Sequence, residues 1–268
     1  MIIEKLVVAI SFHYDEARFE YLKNVCLQIP CLAFDYKILI ITNVEQEIFQ
    51  NKIREQLEGL ANYEIITYPT MGHPYFLTWG HFSIFKQYFL LEQSYSHFMY
   101  LEDDIKLTSK NINYWLRGRY ELLDTGFYPS FVRYEINSTV KISVATDITK
   151  PLKLQQLPKL YITSEYVFLN SPQPYQGMYL MDRIMMSEFL SSSAQSPDFG
   201  SWGIREKATQ GISFVNVPKP FNSRNLIGYN LTKKSIDSGA LIEHLPGNYA
   251  SNSNSPFGKV PLEYLIEC

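Results

Sequence analysis

The chain has 268 residues, of which 46% are hydrophobic and 19% charged, and its formal net charge is −3. This length and composition predict a large globular α/β protein and exclude global disorder. No run of five or more Lys and Arg residues occurs, which disfavours nucleic acid as a partner.

The first hundred residues alternate short apolar runs with segments of helical spacing. Strands are predicted at 6–11, 36–42, 63–68 and 96–101, and helices at 16–28, 45–60 and 77–93. Continuous apolar, β-branched runs are typical of strands that are buried in a parallel sheet. The βαβαβ order therefore predicts the start of a doubly wound sheet with right-handed crossovers.

The pattern changes in the second half of the chain, from residue 106 onward. Helices are predicted at 111–123, 182–190 and 202–209, and strands at 130–137, 141–146, 161–169, 177–180 and 213–217. The residues after 217 are rich in Asn, Ser, Gly and Pro and are predicted to be mostly loop. We expect a single domain over 1–268 with two halves, 1–105 and 106–268.

Three consecutive carboxylates, Glu102, Asp103 and Asp104, follow the apolar run that ends at Leu101. A divalent cation removes the repulsion between such groups, and hard oxygen ligands suit Mg²⁺ or Mn²⁺. The carboxyl end of a strand in an α/β sheet is also where nucleotides bind. The alternative is an acidic turn that caps the next helix, because short acidic motifs often occur by chance.

The segment after the first strand lacks a glycine-rich phosphate loop. Ser11, Phe12 and His13 stand there and match neither a dinucleotide fingerprint nor a P-loop. A metal is then left to hold the phosphates of a nucleotide.

A βαβαβ start with an acidic triplet after a central strand resembles the GT-A glycosyltransferases. In that family a D-x-D motif holds a divalent cation against the diphosphate of a nucleotide sugar; here the motif stands as Glu102-Asp103-Asp104. The resemblance implies a GT-A-like, Rossmann-type mixed sheet flanked by helices. Residues 1–105 would be its nucleotide-binding half and 106–268 its loop-rich acceptor side.

The same resemblance assigns expected roles to the acidic triplet and to one histidine. Asp104 would be the primary metal ligand and Glu102, the first acid of the motif, its partner, in contact with the metal or the ribose. Asp103 is, with Asp104, one of the two best metal candidates by its chemistry and is expected at the cofactor-binding site. His244, in the sequence His-Leu-Pro-Gly-Asn-Tyr, corresponds to a carboxyl-terminal His that completes the metal shell in many members. A neutral imidazole can supply that ligand, although a lone His is more often structural.

Further residues are expected at the nucleotide-sugar site by the same resemblance. Ser11, His13 and Asn43 lie at strand ends where the family holds the base and ribose. The stretch from His73 to His81 includes Trp79 and corresponds to the helix that faces the donor in the family. Together with Trp202-Gly203-Ile204-Arg205-Glu206 and the His244 segment, it resembles the galactofuranosyltransferase domain of bacterial O-antigen galactan polymerases.

The candidate general bases are Glu206 and Asp198. An inverting transferase needs a base to take the proton of the acceptor hydroxyl, and Arg205 would keep the neighbouring Glu206 ionised. Arg224 is a candidate clamp on the leaving diphosphate. Each of these residues is equally well explained as an ordinary surface or loop residue, and a retaining enzyme would need no such base.

These features predict a metal-dependent glycosyltransferase, with inversion as the expected outcome. It would use Mn²⁺ or Mg²⁺ and a nucleotide sugar, expected to be UDP-linked, with galactofuranose as the sugar that the subgroup implies. The acceptor would be a glycan, lipid-linked or free, in surface polysaccharide synthesis. Two alternatives remain open: a nucleotidyltransferase, which would usually carry a basic, Gly-rich first loop, and a non-catalytic sugar-binding module. No secretory signal or membrane span is predicted, so we expect a cytoplasmic protein, with peripheral contact at the inner membrane left open.

Overall fold

The structure, a computed structural model, describes residues 2–68, 74–200 and 202–267. It is an α/β protein with mixed sheets flanked by helices, as the sequence predicts at that level. The chain divides into two compact units. The amino-terminal unit consists of Ile2–Ile105 and Gly177–Ile212, and the carboxyl-terminal unit of 106–176 and 213–267. The division at residue 105 coincides with the change in sequence pattern, and the segment 177–212 belongs with the first unit.

The strands of the described chain are β1 Ile3–Phe12, β2 Ala33–Thr42, β3 Tyr63–Thr67, β4 His97–Glu102, β5 Ile105–Lys106, β6 Tyr128–Pro129, β7 Val132–Ile136, β8 Ser143–Ala145, β9 Leu152–Lys153, β10 Lys159–Tyr161, β11 Tyr166–Leu169, β12 Met178–Asp182, β13 Asn225–Asn230, β14 Ser235–Ile236, β15 Leu241–His244, β16 Val260–Pro261 and β17 Ile266–Glu267. The α-helices are α1 Phe19–Gln28, α2 Glu47–Gln56, α3 His81–Leu91, α4 Ser109–Glu121, α5 Arg183–Ser191, α6 Ile204–Lys207 and α7 Asn248–Ser251. Within the described residues, no helix has both the length and the apolar character to cross a bilayer.

The amino-terminal unit is built on a five-stranded sheet in the order β12-β4-β1-β2-β3. Strands β1 to β4 are parallel to one another, and β12 is antiparallel to β4. The predicted βαβαβ start is therefore confirmed. The side chains from Leu6 to Ile10 are fully buried, because a central parallel strand is covered on both faces.

The helices of this unit form two packed pairs. Helix α1 packs against α2, and α3 packs against α5. The predicted helix at 16–28 begins with a 3₁₀ turn, Glu16–Arg18, before α1 starts. The helix predicted at 77–93 is likewise preceded by a 3₁₀ segment, Pro74–Trp79. His73, which was part of the predicted motif, lies outside the described residues.

The carboxyl-terminal unit contains two larger sheets of short strands. One runs in the order β10-β11-β13-β14, with β6 beside β13, and the other includes β16-β8-β7-β15. Strands β13 to β17 show that the prediction of a mostly loop-like end was wrong. The predicted strand at 213–217 was also wrong, because these residues form turns. The predicted strand at 161–169 forms parts of the antiparallel pair β10 and β11, separated by a turn.

Candidate functional site

The point where the strand order reverses lies in the amino-terminal unit, between β1 and β4. Strands β2 and β3 follow on one side of β1, whereas β4 lies on its other side. Ser11 near the end of β1 is paired with Glu102 at the end of β4. In open α/β sheets, ligands bind outside the carboxyl ends of the strands at such a reversal. The acidic triplet thus begins at the position where a ligand is expected.

Ser11 adds a buried hydroxyl to this edge. Paired residues on neighbouring strands direct their side chains to the same face of a sheet, so Ser11 and Glu102 share a face. The Ser11 side chain is buried, with 7% of the residue exposed. Its hydroxyl interacts with the Tyr100 hydroxyl and so lies within the protein beside the acidic triplet.

The loops after β1 and β2 are tied together at the same edge. The backbone N–H of Tyr14 donates a hydrogen bond to Oδ1 of Asn43, at 2.8 Å. His13, one residue earlier, is exposed. The structure therefore brings Ser11, His13 and Asn43 to one edge with Glu102, as their positions at strand ends predicted.

Asp103 and Asp104 are both held by Arg18, a residue that the sequence did not single out. Arg18 donates from Nε to Oδ2 of Asp103 at 2.8 Å and from Nη2 to Oδ1 of Asp103 at 2.7 Å. Nη2 also donates to Oδ2 of Asp104 at 2.7 Å. The Arg18 side chain is 32% exposed, whereas each aspartate side chain is only 9% exposed.

The local sequence explains how Arg18 reaches this position. Asp15 caps the 3₁₀ turn that follows β1, and its Oδ1 accepts a hydrogen bond from the backbone N–H of Ala17 at 2.9 Å. The capped turn ends at Arg18, immediately before α1. An Asp three residues before an Arg, just beyond the first strand, was the sequence signal that could have identified it.

Burial is the largest influence on the acidity of Asp103 in this cluster. Burial raises the pKa of Asp103 to about 6; Arg18 lowers it and the neighbouring Asp104 raises it. The hydrogen bonds that Arg18 donates to Asp103 in turn hold the pKa of Arg18 above its usual value. Cys26 of α1 is buried, and burial raises the pKa of its thiol, so it is not a reactive thiolate.

His81 is a buried, neutral imidazole in this unit. Burial lowers its pKa to about 3, and Nδ1 lies 2.6 Å from the carbonyl oxygen of Thr78. The neutral ring donates from Nδ1 to this acceptor, which leaves Nε2 without a proton. Its ring is stacked on Tyr100 of β4, with centroids 4.0 Å apart. His81 therefore cannot offer a positive charge to a phosphate.

Trp79 connects the segment around residues 74–81 to the segment around Glu206, two of the sequence motifs described above, within the amino-terminal unit. Its indole Nε1 donates to the carbonyl oxygen of Ile204 at 2.8 Å, which places the 74–79 segment beside α6. In α6, Nη2 of Arg205 donates to Oε1 of Glu206 at 3.1 Å, the contact that the sequence predicted. Asp198 is exposed and precedes α6 in a turn.

His244 lies in the carboxyl-terminal unit and is paired with Glu135, which sequence reasoning missed. Nδ1 of His244 is 2.6 Å from Oε1 of Glu135, and Oε2 of Glu135 accepts from the backbone N–H of Ala250, also at 2.6 Å. A carboxylate on Nδ1 orients an imidazole and makes Nε2 the nitrogen that can bind a metal. The sequence signal that could have identified Glu135 is the alternation of side chains along β7, which places Glu135 on the same face of the strand as Arg133.

Arg224 is buried within the carboxyl-terminal unit. Its guanidinium donates to the carbonyl oxygens of Gly126 and Val215, at 2.5 and 3.3 Å, and to the Tyr128 hydroxyl. These contacts explain why a buried arginine is tolerated at this position. Its role as a diphosphate clamp stays a prediction.

The aspartates of this site have donor atoms that suit a divalent cation, but the structure does not hold them in the arrangement of a metal site. Asp103 and Asp104 are hard oxygen donors that suit Mg²⁺ or Mn²⁺, but Arg18 currently bridges them. In the described part of the chain, no group of three or more His, Cys, Asp and Glu side chains is arranged to hold a metal. Glu102 and Asp104 belong to the amino-terminal unit and His244 to the carboxyl-terminal unit.

Comparison with known proteins does not identify a family. No model of a known protein family matches the chain, and no curated protein sequence matches it.

Proposed function

We propose that this protein is a metal-dependent glycosyltransferase of GT-A type that uses a nucleotide sugar. The observation that carries the proposal is the position of Glu102, Asp103 and Asp104 beside the end of β1, where the strand order reverses. Nucleotides bind at that position in open α/β sheets. An acidic edge without a glycine-rich loop is suited to a nucleotide that arrives with a divalent cation.

The roles of the residues follow from their chemistry. Asp104 and Glu102 would hold Mn²⁺ or Mg²⁺, and the cation would neutralise the diphosphate leaving group. Ser11, His13 and Asn43 would bind the base and ribose at the same edge. The contact from Trp79 to Ile204 would fix α6 next to the donor segment, so that Glu206 lies in a defined place.

The transfer itself requires a base for the acceptor hydroxyl. Glu206 is the stronger candidate because Arg205 donates a hydrogen bond to its carboxylate and holds it in one place. Asp198 is the second candidate. The proposed donor is UDP-linked, with galactofuranose as the implied sugar, and the proposed acceptor is a surface-polysaccharide glycan. His244 as a further metal ligand stays a prediction, which its pairing with Glu135 makes chemically reasonable.

The test is thermal unfolding of the full chain with Mn²⁺ and a panel of nucleotides and nucleotide sugars. A ligand present at a hundred times its Kd stabilises the folded state by about 2.7 kcal/mol. We expect the unfolding temperature to rise with UDP plus Mn²⁺ and this rise to be lost in Asp104→Asn. Turnover of the identified nucleotide sugar should fall about a hundredfold or more in that variant, since a metal supplies several kcal/mol.

Asp35→Asn is the matched control, because Asp35 is an exposed acid in the same unit whose partner is Lys5. It should leave both the ligand-induced shift and turnover unchanged. A shift with glycans but with no nucleotide would refute the proposal in favour of a sugar-binding module. Turnover of a nucleoside triphosphate, with release of pyrophosphate, would refute it in favour of a nucleotidyltransferase.

A further inference from the structure

The carboxyl-terminal unit contains an open cavity of about 460 Å³. This volume falls within the range of about 300 to 1,000 Å³ that is typical of small-molecule sites. Its lining residues belong to the segments 106–176 and 213–267 of this one unit. None of them is among the residues assigned above to the nucleotide, the metal or the acceptor base.

One wall of the cavity is a face of the sheet that contains β7 and β15. Tyr134 of β7 is paired with Glu243 of β15, so their side chains lie on the same face. Glu135 and His244, one position further along each strand, lie on the opposite face. The cavity is therefore separate from the buried pair of Glu135 and His244.

A second wall is the first turn of α4, which the side chain of Asn111 ties to its neighbours. Nδ2 of Asn111 donates to the carbonyl oxygens of Gly239 and Leu241, at 2.8 and 2.7 Å. Oδ1 of Asn111 accepts from the backbone N–H of Thr108 at 2.8 Å. Leu241 belongs to β15, so these bonds fix the start of α4 against the sheet and give the walls a defined geometry.

The cavity presents hydroxyl groups that have no partner within the described chain. Tyr134, Ser143 and Ser238 line it, and their hydroxyls form no hydrogen bond with another described residue. Burial raises the pKa of Tyr134, and the nearby Glu243 raises it further. Its hydroxyl therefore keeps its proton at neutral pH and is available as a donor to a ligand.

The charged side chains that line the cavity favour a ligand with a negative group. They are two lysines, Lys106 and Lys110, and one acid, Glu243, which leaves one positive formal charge. Nζ of Lys106 lies 3.5 Å from Oε2 of Glu243. Lys110 is exposed, and its ammonium group has no ion pair or hydrogen bond with a described residue. Lys110 thus supplies the positive charge that the cavity does not neutralise.

We propose that this cavity binds a small sugar that carries one negative group, a carboxylate or a phosphate. Lys110 pairs with the negative group, and the free hydroxyls together with Glu243 bind the hydroxyls of the sugar. The ring of Tyr134 and the side chains of Leu241 and Leu262 offer apolar surface to the C–H groups of the sugar ring. This inference goes beyond the proposed function, because it assigns a second ligand site with residues of its own.

The test is calorimetric titration of the full chain with glucuronate, galacturonate and glucose 6-phosphate, beside glucose and inorganic phosphate. We expect at least one acidic sugar to bind about tenfold or more tightly than glucose and inorganic phosphate. A preference for the uronates or for glucose 6-phosphate identifies the negative group as carboxylate or phosphate. EDTA is present and nucleotide is absent, so the outcome does not depend on the proposed function.

Three results of these titrations would overturn the proposal. Equal binding of glucose would show that the negative group is not recognised. Equal binding of inorganic phosphate would show that the sugar is not recognised. Binding of none of the acidic sugars would refute the site as a whole.

Variants locate the bound sugar within the chain. Lys110→Gln should weaken binding about tenfold or more, the effect of one hydrogen bond to a charged group, and Tyr134→Phe about threefold to tenfold. Lys150→Gln is the matched control, because Lys150 is an exposed lysine of the same unit that does not line the cavity. If Lys110→Gln binds the sugar as tightly as wild type and Lys150→Gln do, the sugar binds elsewhere and the proposed site is wrong.

A second measurement needs no variant. Wild type is acetylated with acetic anhydride, with and without the acidic sugar that binds, and the modified lysines are quantified by mass spectrometry. The sugar should slow acetylation of Lys110 at least threefold and leave that of Lys150 unchanged, because an amine paired with an anion is covered. Equal rates at Lys110 with and without the sugar would contradict the proposed contact.

Discussion

The pair of Glu135 and His244 shows how the carboxyl-terminal unit tolerates a fully buried carboxylate. Glu135 has no exposed side-chain surface, and His244 is 6% exposed. Both oxygens of Glu135 accept hydrogen bonds, from His244 and from the backbone of Ala250. The carboxylate therefore links β7 to β15 and α7, and its desolvation is compensated only while both donors remain.

We expect Glu135→Gln to lower the free energy of unfolding by about 1 to 3 kcal/mol. An amide has one oxygen and one NH₂ group, so it cannot accept from both His244 and the N–H of Ala250. One of these buried donors is left without an acceptor. Urea denaturation measures the loss.

Glu243→Gln is the matched control for that variant. Glu243 precedes His244, and its carboxylate lies 3.5 Å from Nζ of Lys106 in a partly exposed ion pair. Such pairs contribute about 0 to 1 kcal/mol. An equal loss in the two variants would show that the buried hydrogen bonds of Glu135 are not what stabilises this region.

Among the secondary-structure elements, α4 packs unusually closely within the carboxyl-terminal unit. A Cβ atom at Gly118 would lie 2.8 Å from Cβ of Pro129 and 3.0 Å from Cζ of Phe168. Pro129 belongs to β6 and Phe168 to β11, so the absence of a side chain lets the helix approach both strands. This close packing explains why a poor helix former stands within α4.

We expect Gly118→Ala to destabilise the protein although alanine favours helix. The gain in helix propensity is about 1 kcal/mol, whereas overpacking against a proline ring and a buried aromatic ring costs about 1 to 3 kcal/mol. The net change in the free energy of unfolding should be a loss, measured by chemical denaturation. Asn113→Ala, at an exposed position of α4, removes no packing and should stabilise slightly; if Gly118→Ala also stabilises, the close approach is not limiting.

The elements that the sequence predicted well are those whose signal is local. The strands of the amino-terminal sheet are continuous apolar runs, so their burial could be inferred from residues such as Val7 and Ile40 without knowing their neighbours. Strand β13 carried no such signal, because Gly228 stands in its middle. The structure explains this glycine: a side chain there would collide with Tyr166 and Tyr114.

The errors in strand prediction have a similar physical cause. A long strand was predicted at 161–169, but the Thr163 hydroxyl accepts hydrogen bonds from the N–H groups of Glu165 and Tyr166 and stabilises a turn. At 213–217, the carbonyl of Ser213 accepts from the backbone N–H of Arg224. These segments satisfy their backbone groups in turns and loops, which apolar composition alone does not reveal.

The candidate site was predicted only in part, because only some of its residues have a local signal in the sequence. The acidic triplet and the strand ends are visible in the sequence, since both depend on residues that are adjacent in the chain. Arg18 and Glu135 were missed because their partners are 85 and 109 residues away. A charge pair of that separation leaves no local pattern and becomes visible only when the sheets bring the strands together.

At the scale of the whole molecule, two buried ionisable groups oppose each other in the dependence of stability on pH. The pKa of His81 is lowered in the folded state, so its contribution is present above about pH 6.5 and is lost as the pH falls toward 3. The pKa of Asp103 is raised to about 6, so the folded state binds its proton more tightly than the unfolded chain. Stability from Asp103 is therefore lost as the pH rises between about 4 and 6.

We expect His81→Phe to change this pH dependence. The phenylalanine ring can occupy the stacked position on Tyr100 but does not titrate, so the acid-driven loss disappears. Between pH 6 and 4, His81 makes the free energy of unfolding of wild type fall with decreasing pH, against the opposite effect of Asp103. The slope of this free energy against pH should therefore be smaller in the variant than in wild type by about 1.4 kcal/mol per pH unit. Urea denaturation at several pH values measures both slopes. Ile84→Val in the same helix is the control. It lowers stability by about 0.5 to 1.5 kcal/mol but changes no titrating group, so its slope should match that of wild type. Equal slopes for His81→Phe and wild type would mean that His81 is protonated alike in the folded and unfolded chains.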